Sequence, residues 1–180
     1  EQGLEFDKAA VAASVCAFIK GRMAQMARDE KVSADTVAAV SDGDVTVPVH
    51  FFELAHALEE ARANDREAFT NLATAYARAA HLADTELGTE VDRKLMGDAE
   101  LALLDATDAA RDEVASALDA RDFKSVIVAL AALRGPIDAF FDDVMVMDED
   151  MAVRENRLRL LNRFESVFAG IANIGEMARK

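Results

Sequence analysis

Four arginines late in the chain, Arg154, Arg157, Arg159 and Arg163, carry its most distinctive chemistry. From Asp138 to Asp150 there are six acids and no base; from Met151 to Lys180 there are six bases against three acids. A guanidinium is a planar fork of N–H donors that suits a carboxylate, a phosphate or a base edge. Arg154 and Arg157 are one helical turn apart and face nearly the same way. Leu158 and Leu161 continue that face, which sets both arginines at the border of the core. Two chemistries fit. The arginines pair with acids of the preceding helix, such as Asp142 or Asp143, or they contact phosphates and bases. Both can hold, for different residues.

Other chemistry finds little support. His50, His56 and His81 do not share a helical metal spacing. No histidine adjoins an aspartate, as a metal-dependent phosphohydrolase would need, and there is no glycine-rich phosphate loop. The carboxylates read as solvated helix faces. Cys16 is the one cysteine and sits among Ala, Val and Phe, which reads as a small buried hydrophobe.

The elements that must position these groups are helical. Val11, Val15, Phe18, Ile19, Met23 and Met26 recur at spacings of three and four, predicting a first helix over about 4–28 with that stripe inward. Ser33 caps a short helix over 34–40, and residues 41–44 form a turn cluster. Val45, Thr46 and Val47 are β-like but too short to matter. Pro48 suits the first turn of a third helix carrying Phe51, Phe52, Leu54 and Leu58. Asn64 and Asp65 break it, and Asp65 caps the next, which carries Phe69, Leu72 and Tyr76. The pattern weakens over 85–97, a linker joining possible halves 1–84 and 98–180. Asp98 opens a helix to about 120. Asp122 opens another, with Phe123, Val126, Ile127, Leu130 and Leu133 inward. Gly135 ends that one, and Pro136 starts a short helix with Ile137, Phe140, Phe141, Val144 and Met145. The last helix spans about 150–177 with Leu158, Leu161, Phe164, Phe168 and Ile171 buried.

Composition agrees. At 180 residues the default is one domain, and scarce Gly (8) and Pro (2) leave few breaks in an alanine-rich helical chain. The fold class is all-α. A net charge of −14 argues against a strong nonspecific nucleic-acid binder, so RNA binding needs a local basic face. No apolar run approaches a membrane span, and no signal peptide is visible. One cysteine suits a reducing, cytoplasmic setting. A start at Glu1 without methionine suits a processed chain or an excised piece.

The stretch LRGPIDAFFDDVMVMDEDMAVRENRLRLL, from Leu133 to Leu161, carries a resemblance. Pro136, Asp138, Phe140, Phe141, Asp142, Val144, Met145 and Val146 are followed by Asp150, Ala152, Arg154, Asn156, Arg157 and Leu158. This run resembles the end of the bacterial glycyl-tRNA synthetase β subunit, an anticodon-binding domain of the DALR type. Val153 stands where the family has Leu. The first half agrees more loosely. Phe18, Ile19 and Arg22 resemble the family's Phe-Leu-x-x-Arg-Leu segment, and Asp35 to Val40 its short helix. Ala75 to Leu82 resembles Lys-Arg-Val-x-Asn-Ile, with Ala77, Ala79 and His81 departing from it. A basic and a polar RNA contact are therefore absent or moved.

The resemblance implies a multi-helix bundle of the DALR anticodon-binding type. It implies a module that grips the anticodon arm of the glycine tRNA and supports ATP-dependent attachment of glycine. Catalysis, with ATP and Mg, belongs to the α subunit of an α2β2 heterotetramer, separate or fused. This piece needs no cofactor and has no catalytic residue, metal, DNA or membrane partner. Near the matched motifs, Arg22, Tyr76, Arg78, Arg154, Asn156 and Arg157 are the candidate RNA-binding residues. Arginine planes and aromatic rings stack splayed bases. Tyr76 stacks on a base or packs in the core with its hydroxyl at the rim. Asn156 bonds a base edge or only supports the backbone. Phe140 and Phe141 read as core. The competing reading is a helical scaffold for subunit assembly with little RNA affinity of its own.

Overall fold

Eight α-helices and three 3-10 turns make up the described residues, 7–43 and 47–178, of the computed structural model. The helices are α1 (Lys8–Asp29), α2 (Ala34–Ser41), α3 (Pro48–Asn64), α4 (Arg66–Leu82), α5 (Asp98–Ala120), α6 (Phe123–Ala131), α7 (Arg134–Asp143) and α8 (Met151–Ser166). No strand occurs among the described residues, as the all-α reading requires.

Local chemistry sets most boundaries. Asp7, Asp65, Asp122 and Asp150 each cap a helix by accepting backbone N–H groups of its first turn. Glu100, at the third position of α5, bends back to accept the Gly97 N–H at 2.8 Å. Gly97 is therefore the cap, and Asp98 lies inside the helix. Ser33 precedes α2 but spends its hydroxyl elsewhere, donating to Glu59.

α4 packs against α3, α7, α8 and the final 3-10 turn, Ile174–Ala178. α5 packs on α6, α7 and α8, and α3 touches α6. Phe51, Phe140, Phe164 and Phe168 are fully buried in one hydrophobic cluster that draws on both halves of the sequence. The 85–97 segment forms two 3-10 turns, Thr85–Leu87 and Arg93–Leu95, both in contact with α8.

Several expectations need correction. α8 ends at Ser166, not near 177; the chain goes on in turns and passes Gly170 at φ 75°, a conformation that suits glycine and excludes one continuous helix to 177. Phe168 is buried before that turn and Ile171 and Ile174 after it, and the Asn173 N–H reaches the Ala39 carbonyl at 2.9 Å. Gly135 and Pro136 lie in the first turn of α7, so the break falls just before them. Ser41 ends α2 rather than opening a turn. Asp44, Val45 and Thr46, and the start of the first helix before Asp7, lie outside the described residues.

The largest departure is α1. Met23, Ala24 and Ala27 are buried, but Val11, Val15, Phe18, Ile19 and Met26 are exposed. α1 packs chiefly on α2 and α3 through its other side. Cys16 is exposed too, not a buried hydrophobe.

Candidate nucleic-acid interface

α8 shows how far the arginines are already engaged. Asp150 fixes its start, and Leu158, Leu160, Leu161 and Phe164 bury its apolar side. The Arg157 Nε donates to Glu100 at 2.9 Å, and its Nη1 reaches Asp148 at 2.6 Å and the Met145 carbonyl at 2.8 Å. Burial opposes the Arg157 charge, but hydrogen bonds and charge attraction from Glu100 and Asp148 outweigh it, and its pKa is raised. Arg154 Nε donates to the Asp148 carbonyl at 2.7 Å. The expected pairing with acids holds for Arg157, through Glu100 and Asp148 rather than Asp142 or Asp143, whereas Arg154 meets a main-chain carbonyl.

Asn156 is 1% exposed and spends its amide inward. It accepts the Asp92 N–H at 2.7 Å and donates to the Asp92 carbonyl at 3.0 Å. In this conformation it supports the backbone and has no edge left for a base. Asn162, passed over in the sequence, does the same for Asp84 and also donates to the Gly88 carbonyl at 2.8 Å. Arg159 and Arg163 reach the Leu87 and Thr89 carbonyls, and Arg163 also pairs with Asp108 at 2.7 Å. The polar side of α8 is thus a clamp that fixes the 84–92 segment.

Tyr76 is 7% exposed, its ring 4.8 Å from Phe168, centroid to centroid. Burial first, then the charges of Glu165 and Asp42, push its hydroxyl up to about 12. It borders a cleft of about 320 Å³ with Thr85, Thr89, Asn162 and Glu165, but its ring face is covered and unsuited to stacking.

Arg78 differs. It is exposed on α4, its guanidinium lies 4.0 Å from the Phe141 ring centroid, and no acid pairs with it among the described residues. Charge and ring quadrupole attract each other in this geometry. The pair lines an open groove of about 600 Å³ with His81, Asp142, Asp143, Met145 and Met147. Met145 and Met147 are 74% and 56% exposed. Phe141 is therefore not plain core: it is half-buried and is the surface on which Arg78 rests. The Met145 carbonyl that takes Arg157 belongs to the same 144–147 loop, so the groove adjoins the start of α8.

Arg22 is exposed on α1, away from the helices that line this groove. Of the six expected residues, Arg154, Asn156 and Arg157 gather at the start of α8, Arg78 sits in the neighbouring groove, Tyr76 is in the core, and Arg22 stands apart. His81, Phe141, Asp142 and Met145 were missed as groove residues. The available signal was Arg78, a solvent-facing arginine within a matched motif. No group of His, Cys, Asp and Glu among the described residues could hold a metal ion. No described helix is long and apolar enough to cross a membrane.

Residues 72–174 match the DALR anticodon binding domain, a span that holds the Arg78 groove and the whole α8 clamp. The chain belongs to that family. It is 36% identical over 177 residues to the glycine–tRNA ligase β subunit of Vibrio cholerae serotype O1 strain O395, covering 96% of this chain and 25% of that protein. The β subunit of Aliivibrio fischeri strain MJ11 is likewise 36% identical over 176 residues, at 96% and 25% coverage. That of Acinetobacter baumannii strain AYE is 36% identical over 165 residues, at 90% and 24%. The chain spans about a quarter of the length of the curated relatives it matches.

Proposed function

We propose that this chain, as one helical domain over residues 1–180, is the anticodon-arm recognition module of a glycine–tRNA ligase β chain. The observation that carries the reading is the Arg78–Phe141 pair in its open groove. A base splayed from the anticodon loop stacks on the guanidinium plane. Asp142 and Asp143 on the rim accept from its exocyclic amino group. The Arg78 guanidinium rests on Phe141 with no acid paired to it among the described residues, so its charge is available to RNA in a chain of net charge −14.

In this reading the partners are the glycine tRNA and the ligase α subunit. The α subunit supplies the aminoacylation site with its ATP and Mg, and the assembly works in the cytoplasm. A second reading, a scaffold for subunit assembly with little RNA affinity, is favoured by the ion pairs that occupy the α8 arginines.

The test is binding of the chain to a glycine tRNA transcript and to one with a changed anticodon, across a salt series. The expected result is tighter binding to the glycine anticodon, weakened by salt. Arg78→Ala should cost about tenfold in affinity, the lower range for one stacked base. Equal binding of both transcripts, or no effect of Arg78→Ala, would favour the scaffold.

A further inference from the structure

α1 has apolar stripes on two sides, and the fold buries one. At about 100° per residue, Val11, Val15, Phe18, Ile19 and Met26 fall within one stripe that also holds Arg22. The buried side begins about 40° beyond Ile19 with Met23 and continues through Ala27 to Ala24. Phe18 is 69% exposed and Val15 50%. Every residue from 8 to 19 is exposed, so the first three turns project from the remainder of the fold. A continuous apolar stripe of this kind on a helix marks an interaction surface.

We propose that the outward stripe of α1 docks against a protein surface of the ligase body, a proposal that rests on the ligase reading above. Three observations select this occupant. The curated relatives hold the matched region within chains about four times as long, so in such an enzyme the domain lies beside a much larger protein surface. The stripe is mainly aliphatic, which gains from desolvation against apolar protein rather than from base stacking. Between Lys8 and Met26 the charged residues on the stripe side are the cations Lys8 and Arg22, which an acidic rim would complement, while Lys20 lies opposite and donates to the Gly43 carbonyl. A second copy fits poorly, because antiparallel pairing of the exposed stripe about Val15 sets Arg22 of one copy against Lys8 of the other, and parallel pairing sets each cation against its own copy.

Hydrogen exchange of α1 tests this, in the 180-residue chain alone and in the native ligase assembly. Residues 8–19 should exchange at least tenfold more slowly in the assembly. Val15→Glu with Phe18→Glu should abolish that protection while shifting the melting temperature of the chain alone by no more than about 2 °C. Phe18→Leu should keep the protection. Equal exchange in the two settings overturns the proposal. So does protection in the chain alone that rises with concentration, which marks a second copy, or protection that appears only with added glycine tRNA transcript, which marks an RNA surface. A large loss of stability in the chain alone on Val15→Glu with Phe18→Glu also overturns it. Loss of the anticodon reading shows separately, as unchanged tRNA affinity on Arg78→Ala with α1 protection intact.

Discussion

Replacing Arg157 by methionine should destabilise this domain by about 3 kcal/mol, whether or not RNA is present. Glu100 is 3% exposed. One of its oxygens accepts the Gly97 N–H at 2.8 Å, and the other accepts the Arg157 Nε at 2.9 Å. Without the guanidinium, the second oxygen is a buried charge with no donor. Removing one partner of a buried pair costs about 3–5 kcal/mol. The Arg157 side chain is itself 15% exposed, so water enters part of the space and the lower figure applies. Its bond to Asp148, whose side chain is 34% exposed, adds little. In a domain of this size each kcal/mol moves the melting temperature by about 2–4 °C, giving a drop of about 6–12 °C. Urea unfolding followed by circular dichroism measures the change, with an unaltered m-value as the control for two-state behaviour. Adding Glu100→Gln, which keeps an acceptor for Gly97 and removes the charge, should restore at least half of the loss. A single-variant loss below about 0.5 kcal/mol, or a double variant no better than the single, would refute the reasoning. Loss of tRNA binding on Arg157→Ala therefore counts as a contact only once folding has been checked.

Four further outcomes are expected. Burial alone would raise the Glu59 carboxyl, but the Ser33 hydroxyl and N–H and the Arg62 guanidinium outweigh it and hold it at about 2. Its unfolded value is 4.5, so the stability it contributes is fully present above pH 4.5 and is lost as pH falls towards 2. After solvent screening that is about 1–2 kcal/mol, read as the difference between the acid limbs of wild type and Glu59→Gln; identical limbs would sink it. Asn162→Ala removes three bonds to the 84–88 backbone and should cost about 1–3 kcal/mol, with faster hydrogen exchange there and unchanged exchange in α6 as the signature. Thr107 is fully buried, and its hydroxyl has no partner among the described residues, so Thr107→Val should stabilise by about 1 kcal/mol in the same urea assay; a loss would show that the hydroxyl is satisfied. Tyr76 is the sole tyrosine, so ultraviolet titration of the folded chain should show little phenolate at pH 10 and a transition near 12. A transition at 10 would put the ring in solvent and return it to the stacking candidates.

The sequence by itself determined the helices and most of their ends. Asp65 was legible as a cap, and Asp122 and Asp150 as the starts of their helices, because a cap bonds to N–H groups two or three residues ahead, within reach of local reading. The stripe of Leu158, Leu161 and Phe164 was legible because one helical period orders it, and a core covers it. The motif run after Leu133 was also legible, and with it the family. The same periodicity misread α1, because it marks an apolar stripe without saying what covers it. The fates of the arginines were equally hidden. Arg157 meets Glu100 across 57 positions and Asn162 meets Asp84 across 78, distances over which only packing sets the neighbour. Only the tertiary structure decided that Asn156 and Arg157 hold the chain to itself and that Arg78 lies open on Phe141. A side chain's type fixes which bonds it can make, and the fold fixes which partner reaches it first.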